Sequence, residues 1–510
     1  MLTTVNSAAV LGLDAQLVLV EVDTTFGISS HTIVGLPDAA VKESKERIEA
    51  ALKNSDIPVD FFAKFTINLA PAHLRKEGPA FDLPIAVGMM ANESLFERSI
   101  LPDKIFLGEL SLNGAVRPVR GVLAIALAAR EKGLREILLA QENAAEAAVV
   151  KGLRVIPLAN ISEAREYLAG RKKIKPYVPR PITAEPKFCG DFAEVKGQLL
   201  AKRALEIAAA GGHNVLLVGS PGCGKTMLAR RLPAILPELT YAESIEVSKI
   251  YSVAGLLHQG LIGERQFRAP HHTISDVGMA GGGRQPRPGE ISLAHQGVLF
   301  MDEFPEFDRQ VLEVLRQPLE DGEIVISRAL STVTYPARFM LIAALNPCPC
   351  GYALDQRRRC TCTPPQIARY WKRLSGPILD RIDIFVELAG LTASELAQRS
   401  GGETSAQIRA RVNTARAWQT SRFAQRSGIF TNADMQPADL KTLACIAADA
   451  RELLAQAVER LNLSTRAYDR ILKVARTIAD LAGVETVQTE HLAEALQYKQ
   501  NSLALEKIYA

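Results

Sequence analysis

Gly219-Ser220-Pro221-Gly222-Cys223-Gly224-Lys225-Thr226 spells a phosphate-binding loop, and the residues on either side supply the surroundings such a loop needs. Before it, Asn214-Val215-Leu216-Leu217-Val218 predicts a buried parallel strand; after it, Met227-Leu228-Ala229-Arg230-Arg231-Leu232 predicts a helix. The glycines let the backbone curl so that successive N–H groups face phosphate oxygens, and the helix N-terminus adds a favourable field. Lys225 then reaches the β- and γ-phosphates, while the Thr226 hydroxyl is placed for Mg²⁺. A plain glycine-rich turn would explain the glycines but not the Lys-Thr pair. Residues 219–227 are therefore expected to bind a nucleoside triphosphate.

Further along, Val298-Leu299-Phe300-Met301-Asp302-Glu303 is an apolar run that delivers two acids at its end. That pattern fits a central strand setting Asp302 to hold Mg²⁺ through water and Glu303 to orient and polarise the attacking water. A strand simply reaching the surface is the plain alternative, and the upstream loop favours the chemistry. Phe339-Met340-Leu341-Ile342-Ala343-Ala344-Leu345-Asn346 predicts another buried strand ending in a polar amide. In Ser375-Gly376-Pro377-Ile378-Leu379-Asp380-Arg381-Ile382-Asp383-Ile384, Arg381 lies between a helix-like segment and a strand. Ser464-Thr465-Arg466 opens a helix over 467–481.

Together these residues resemble an AAA+ ATPase of the magnesium-chelatase-related subfamily, over essentially the whole chain. The likeness includes Gly289-Glu290-Ile291-Ser292-Leu293-Ala294-His295-Gln296-Gly297 and Asp321-Gly322-Glu323-Ile324-Val325-Ile326-Ser327-Arg328, the latter similar to the hairpin before the sensor strand. The resemblance implies ATP and Mg²⁺ as cofactors. It puts Asn346 where such ATPases carry a sensor for the γ-phosphate or lytic water, although an Asn capping the chain before Pro347 is compatible. It puts Arg381 where ring ATPases carry an arginine that reaches a neighbour's γ-phosphate, which implies an oligomer. The alternative for Arg381 is a surface salt bridge with Asp380 or Asp383. Arg466, at the N-terminal end of a helical lid, would close on the nucleotide, with Arg470 the weaker candidate.

The segment 248–290, with Pro270-His271-His272-Thr273 and Gly281-Gly282-Gly283-Arg284, sits where this clade inserts a loop into its second helix. In the clade's ring helicases the insert and the hairpin point into the pore. On that likeness Arg284, Arg287 and Arg328 are candidates to grip a phosphate backbone. His271 and His272 read as loop packing rather than metal ligands.

Composition sets the frame. The chain has 510 residues, 47% hydrophobic and 23% charged, which fits a soluble globular protein of about two to four domains. No apolar run is long enough to cross a bilayer, and the N-terminus lacks a basic segment leading into an apolar one. No membrane partner and a cytoplasmic location are expected, and seven cysteines in so long a chain fit a reducing compartment. Residues 1–170 carry 17 Lys/Arg against 21 Asp/Glu, and 171–510 carry 43 against 35. The basic second part is compatible with nucleic acid. Arg171-Lys172-Lys173-Ile174-Lys175-Pro176-Tyr177-Val178-Pro179-Arg180-Pro181 reads as an extended linker between domains.

Cys348-Pro349-Cys350 and Cys360-Thr361-Cys362 form two Cys-x-Cys pairs separated by nine residues. Four thiolates on two short ribs can close a tetrahedral structural Zn²⁺ site, with spare reduced thiols as the alternative. The same loop carries Arg357-Arg358-Arg359, followed by Arg369, Tyr370, Trp371, Lys372 and Arg373. This basic cluster is a candidate DNA contact whose aromatics would stack on bases, or else a solvated charged face.

Residues 1–170 alternate apolar strands with amphipathic helices, with strands near 16–22 and 65–69 and helices near 38–54 and 122–132. Leu107-Gly108-Glu109-Leu110-Ser111-Leu112-Asn113-Gly114, Pro118-Val119-Arg120-Gly121 and Lys76-Glu77-Gly78-Pro79-Ala80-Phe81-Asp82 are similar to the proteolytic domain of Lon. Lon has its nucleophilic serine where this chain has Ala80, and its general-base lysine in the helix after Gly121, where this chain reads Leu123 to Ile125. Without hydroxyl and amine the Ser–Lys mechanism cannot run, so a docking or ring-building module is expected.

A degenerate Lon-like domain ahead of an AAA+ motor with a four-cysteine loop resembles the ComM/YifB family. The resemblance implies a multidomain α/β fold. Its parts are a Lon-like α+β domain of the ribosomal S5 domain 2 type (1–170), a linker (171–187), a P-loop core with a parallel sheet (188–389, its cysteine loop at 346–374) and a helical lid (390–510). It also implies a hexameric ring that drives branch migration on single-stranded or branched DNA during natural transformation, alongside recombination proteins. The alternative is a chelatase-type motor that remodels a partner protein.

Overall fold

The computed structural model describes residues 1–25, 30–179, 190–257, 260–283, 286–328, 331–355, 357–390, 402–426 and 428–509. Arg284, residues 180–187 of the expected linker and the expected start of the lid at 391–401 lie outside them. The fold is mixed α/β, and the chain divides into two compact units. Among the described residues, no helix is long and apolar enough to cross a membrane.

The first unit is built on a seven-stranded mixed sheet. Leu2–Leu11 and Asp14–Thr25 form a long antiparallel hairpin, paired from Leu2↔Asp23 to Leu11↔Asp14, with Gly12 supplying the positive φ at its turn. Lys64–Ala70 and Ser30–Val34 extend the sheet on one side; Lys104–Phe106, Glu136–Ala140 and Arg154–Leu158 extend it in parallel on the other. Alternation decides which face each side chain meets. Leu138 and Ala140 enter the core beneath the helices Ala39–Asn54 and Asp82–Asn92, whereas Ile137 and Leu139 enter the core beneath Val122–Glu131. Every residue of Glu136–Ala140 is buried, as a parallel strand covered on both faces requires.

This unit also contains Tyr241–Gly263 and Ser327–Tyr335, segments the linear division places within the motor. The helix Tyr241–Ala254 is tied in by polar contacts. The Ser252 hydroxyl donates to Glu146, the Ser252 carbonyl accepts from Gly121 N at 3.1 Å, and Lys249 Nζ meets Asp14 at 2.6 Å. Leu257 and Leu261 then pack on the apolar cluster around Val122–Glu131.

The second unit carries a five-stranded, all-parallel sheet in the order Phe267–Arg268, Val298–Met301, Met340–Leu345, Val215–Gly219, Ile384–Leu388. The phosphate-loop strand is thus interior, fourth of the five, beside the central strand that leads into Asn346 and one strand removed from the acidic pair. All three deliver their polar residues at the carboxyl edge, where open α/β sheets bind ligands. The helices Ser405–Phe423, Thr465–Leu481 and Thr489–Tyr509 share one apolar core with this sheet, through residues such as Val412, Ile471 and Leu492. Within it, Arg476 is 0% exposed and bonded to Asp480 at 2.9 Å, and Asp480 also receives Arg422 at 2.6 Å.

Helical spacing runs through 438–460, yet the structure has two helices, Pro437–Leu443 and Ala448–Leu461. Between them the chain bridges to Val487, with Val487 N bonded to Cys445 O and Ala447 N to Val487 O, and Cys445 adopts φ 44. Backbone bonds to a distant segment replace those that would have continued the helix.

Candidate nucleotide site and metal centre

The strand Val215–Gly219 is wholly buried and paired in parallel on both sides, so the loop that follows is held on a rigid base. Gly222 and Gly224 sit at φ 79 and φ 98, and a Cβ on either would meet nothing within 4 Å. The backbone conformation demands glycine there, and the space around it is open, as a phosphate cradle must be. Lys225 begins the helix Lys225–Arg231, and its Nζ donates to Gly219 O (2.6 Å), Ser220 O (3.1 Å) and Asn346 Oδ1 (3.1 Å). Burial pushes its ammonium pKa below the ordinary lysine value. Thr226 Oγ1 donates to Asp302 Oδ2 at 2.7 Å, joining the expected Mg²⁺ hydroxyl and carboxylate directly. The open glycine cradle, the buried amine and this hydroxyl–carboxylate pair fit a magnesium nucleotide. Cys223 is buried beneath the loop, and Met227 is exposed on the helix.

The acidic pair follows Val298–Met301, and the backbone turns sharply between its two members. Glu303 adopts φ 53, and its N–H donates to Asp302 Oδ1 at 3.0 Å. The Glu303 carboxylate lies 3.2 Å from His272 Nδ1. The strand Phe267–Arg268 pairs with Val298 and Leu299, which carries the two histidines alongside. His271 bonds Thr273 at 2.9 Å, and its ring lies tilted by 33° against that of His272 with centroids 4.2 Å apart. Loop packing therefore describes His271, while the tie from His272 to Glu303 escaped the sequence reading. Only the pairing of two strands places that histidine beside the acid.

Arg381 is 11% exposed and is held by Pro377 O at 2.7 Å and by the Glu320 carboxylate, not by Asp380 or Asp383. Arg466 is an exposed residue in the first turn of Thr465–Leu481. Arg470 is engaged structurally, bonding Ile382 O at 3.1 Å with Asp383 at 3.8 Å. Burial alone would raise the Asp383 carboxyl pKa. The His213 ring 3.4 Å away and the charges of Arg470 and Lys473 overcome it and hold the pKa at about 2.

Cys348, Cys350, Cys360 and Cys362 have all their sulfurs within 4.8 Å of one another, the only such group of three or more metal-ligating residues among the described residues. Sγ separations of 3.3, 3.5 and 3.7 Å relate Cys348, Cys350 and Cys360. Tetrahedral zinc with Zn–S near 2.3 Å sets sulfurs about 3.8 Å apart, so the cluster fits that ion. Backbone N–H groups of Cys350 and Cys362 point at Cys362 and Cys360 sulfurs at 3.3 and 3.4 Å, the support thiolates need.

Arg357, Arg358 and Arg359 are exposed, with Arg358 over the Tyr352 ring at 5.1 Å. Arg287 is exposed on the short strand Arg287–Pro288, and Arg328 closes the strand Glu323–Arg328. The expected stacking aromatics need correcting. Tyr370 is only 7% exposed, and the Trp371 indole donates to Pro347 O at 3.0 Å, just beyond the strand Met340–Leu345. In the first unit, Leu123 and Ile125 are buried apolar residues and Ala80 has no hydroxyl. Asp82 is fully buried in an ion pair with Arg47 at 2.8 Å, a structural tie.

Comparison with known proteins agrees with this architecture. Residues 191–396 match the family described as magnesium chelatase, subunit ChlI; residues 20–143 match subunit ChlI of Mg-chelatase, and 402–499 match the ChlI C-terminal region. The chain is 43% identical to Competence protein ComM of Haemophilus influenzae, over 99% of both chains. It is 42% identical to the YifB protein of Salmonella typhimurium, over 98% of this chain and 97% of that one. The magnesium-chelatase 38 kDa subunit of Rhodobacter capsulatus is 28% identical over 31% of this chain and 50% of its own length. Likeness at this level along the full length places the chain in the ComM/YifB family of magnesium-chelatase-related AAA+ proteins.

Proposed function

We propose that this protein is an ATP-driven DNA motor that promotes branch migration during homologous recombination in natural transformation. The observation that carries the proposal is the 43% identity, end to end, with a protein named for competence. The nucleotide site supplies the chemistry. Lys225 and the backbone of residues 219–227 would hold the triphosphate, and Thr226 with Asp302 the Mg²⁺. Glu303 would polarise the attacking water and Asn346 would read the γ-phosphate. Arg381 would act across a subunit seam and Arg466 from the helical lid, which makes a homo-oligomeric ring, a hexamer on the family likeness, part of the proposal. Arg287, Arg328, Arg357, Arg358 and Arg359, with Arg284 outside the described residues, are the proposed contacts to single-stranded or branched DNA. The Lon-like first domain serves docking or ring building, and the cysteine cluster holds a structural Zn²⁺.

A second reading, a chelatase-type motor remodelling a partner protein, is favoured by the likeness to the 38 kDa chelatase subunit. That likeness spans 31% of the chain and leaves out the rest. The two readings separate in the ATPase rate measured with and without forked DNA. A motor on DNA hydrolyses faster with the fork present; a rate indifferent to DNA sends the weight to protein remodelling.

A further inference from the structure

The cysteine loop is not a separate appendage, because its residues touch the nucleotide site at several points. Cys348 follows Asn346 by two residues, so the first sulfur sits next to the amide that meets Lys225 at 3.1 Å. Gly351 follows the second sulfur at φ 87, and a Cβ there would lie 2.6 Å from Pro221 Cδ and 4.0 Å from Asn346 Cγ. The loop backbone therefore presses directly on the phosphate loop, with room for no side chain. Four residues on, the Asp355 carboxylate accepts from the backbone of Arg357 (2.7 Å) and Arg358 (3.1 Å), and with the nearby Ser220 hydroxyl of the phosphate loop these hold its pKa below the usual carboxylate range. The far end of the loop is anchored too. Cys362 leads into the helix Pro364–Trp371, whose Trp371 indole bonds Pro347 O at 3.0 Å.

Between the two cysteine pairs the described residues are half-buried or exposed, apart from Gly351. The segment has little apolar core of its own to hold this shape, and in such loops a bound metal takes the place of a core. We propose that zinc bound by Cys348, Cys350, Cys360 and Cys362 clamps Gly351 and Asp355 onto the phosphate loop and aims Asn346 at Lys225, so that metal occupancy sets nucleotide affinity. This rests on the ATP-binding reading above and adds a control of the same site.

The test uses the full-length chain and a fluorescent ATP analogue. Stripping zinc with a chelator should weaken binding roughly tenfold, and added zinc should restore it. Linkage requires the reciprocal effect: saturating nucleotide should strengthen zinc retention against a colorimetric chelator by the same factor. Gly351→Ala keeps all four sulfurs, so it should retain its zinc while binding the analogue as weakly as the stripped chain. The proposal is overturned if stripping leaves affinity unchanged, if Gly351→Ala binds normally, or if the purified chain holds no zinc. If the stripped chain unfolds, Gly351→Ala and the reciprocal measurement decide. A zinc-loaded wild-type chain that binds no ATP analogue counts instead against the ATP reading itself.

Discussion

Asp302 and Glu303 are neighbours in sequence, yet the left-handed backbone at Glu303 sends their carboxylates to different partners, Thr226 and His272. In the proposed mechanism Asp302 would hold the metal and Glu303 would meet the attacking water. Glu303→Gln should therefore lower ATP turnover by about 10²- to 10⁴-fold while leaving nucleotide binding intact, as phosphate release and analogue binding will report. The acids were legible as the end of a buried strand, because an apolar run closed by two carboxylates is a local pattern. His272 was not, since its role arises from pairing with a strand whose sequence carries no sign of it. Asp383 makes a second residue-scale prediction. Its pKa near 2 lies below the roughly 3.9 of an unfolded aspartate, so it stabilises the fold above pH 4 and loses that contribution as pH falls toward 2. The amount is about 2 kcal/mol. Asp383→Asn should destabilise the second unit at neutral pH and flatten its acid unfolding, followed by circular dichroism.

At the scale of elements, periodicity found most of what it could. The strand Val215–Gly219 and the helix Ala39–Asn54 follow from local pattern and from the capping Asp38. The helix Tyr241–Ala254 runs into the start of the segment read as a loop insert, and its place in the first unit was not legible from the sequence. Its allegiance is fixed by Ser252 and Glu146, 106 residues apart, and no local window contains both. Burial raises the Glu146 carboxyl pKa, and the hydrogen bonds from Ser252 and Leu123 N oppose that shift. Ser252→Ala removes one of those donors from a buried acceptor and should cost about 1–3 kcal/mol. Hydrogen exchange will report it as lost protection over 241–254, and unchanged protection would show that the helix is held by other contacts. The split of 438–460 has the same origin, a bridge to Val487 that competes with helix continuation.

For the whole molecule, the proposed mechanism needs more than one copy of the chain. Arg381 in a single chain rests on Pro377 and Glu320, so reaching a neighbour's phosphate requires release of that ion pair. Arg381→Ala should bind ATP normally yet lose about 10³-fold or more in hydrolysis. Mixing it with Lys225→Ala, which keeps the arginine but lacks the loop amine, should restore part of the rate at seams combining an intact loop with an intact arginine. No restoration would place Arg381 outside the shared site. The central claim is that hydrolysis moves DNA. Its most direct measurement is displacement of a labelled strand from a branched, partly homologous substrate, by wild type and by Glu303→Gln, with ATP and Mg²⁺. Strand exchange by the wild type and none by the variant is the expected result; a wild type that hydrolyses ATP and leaves the branch where it started would contradict it.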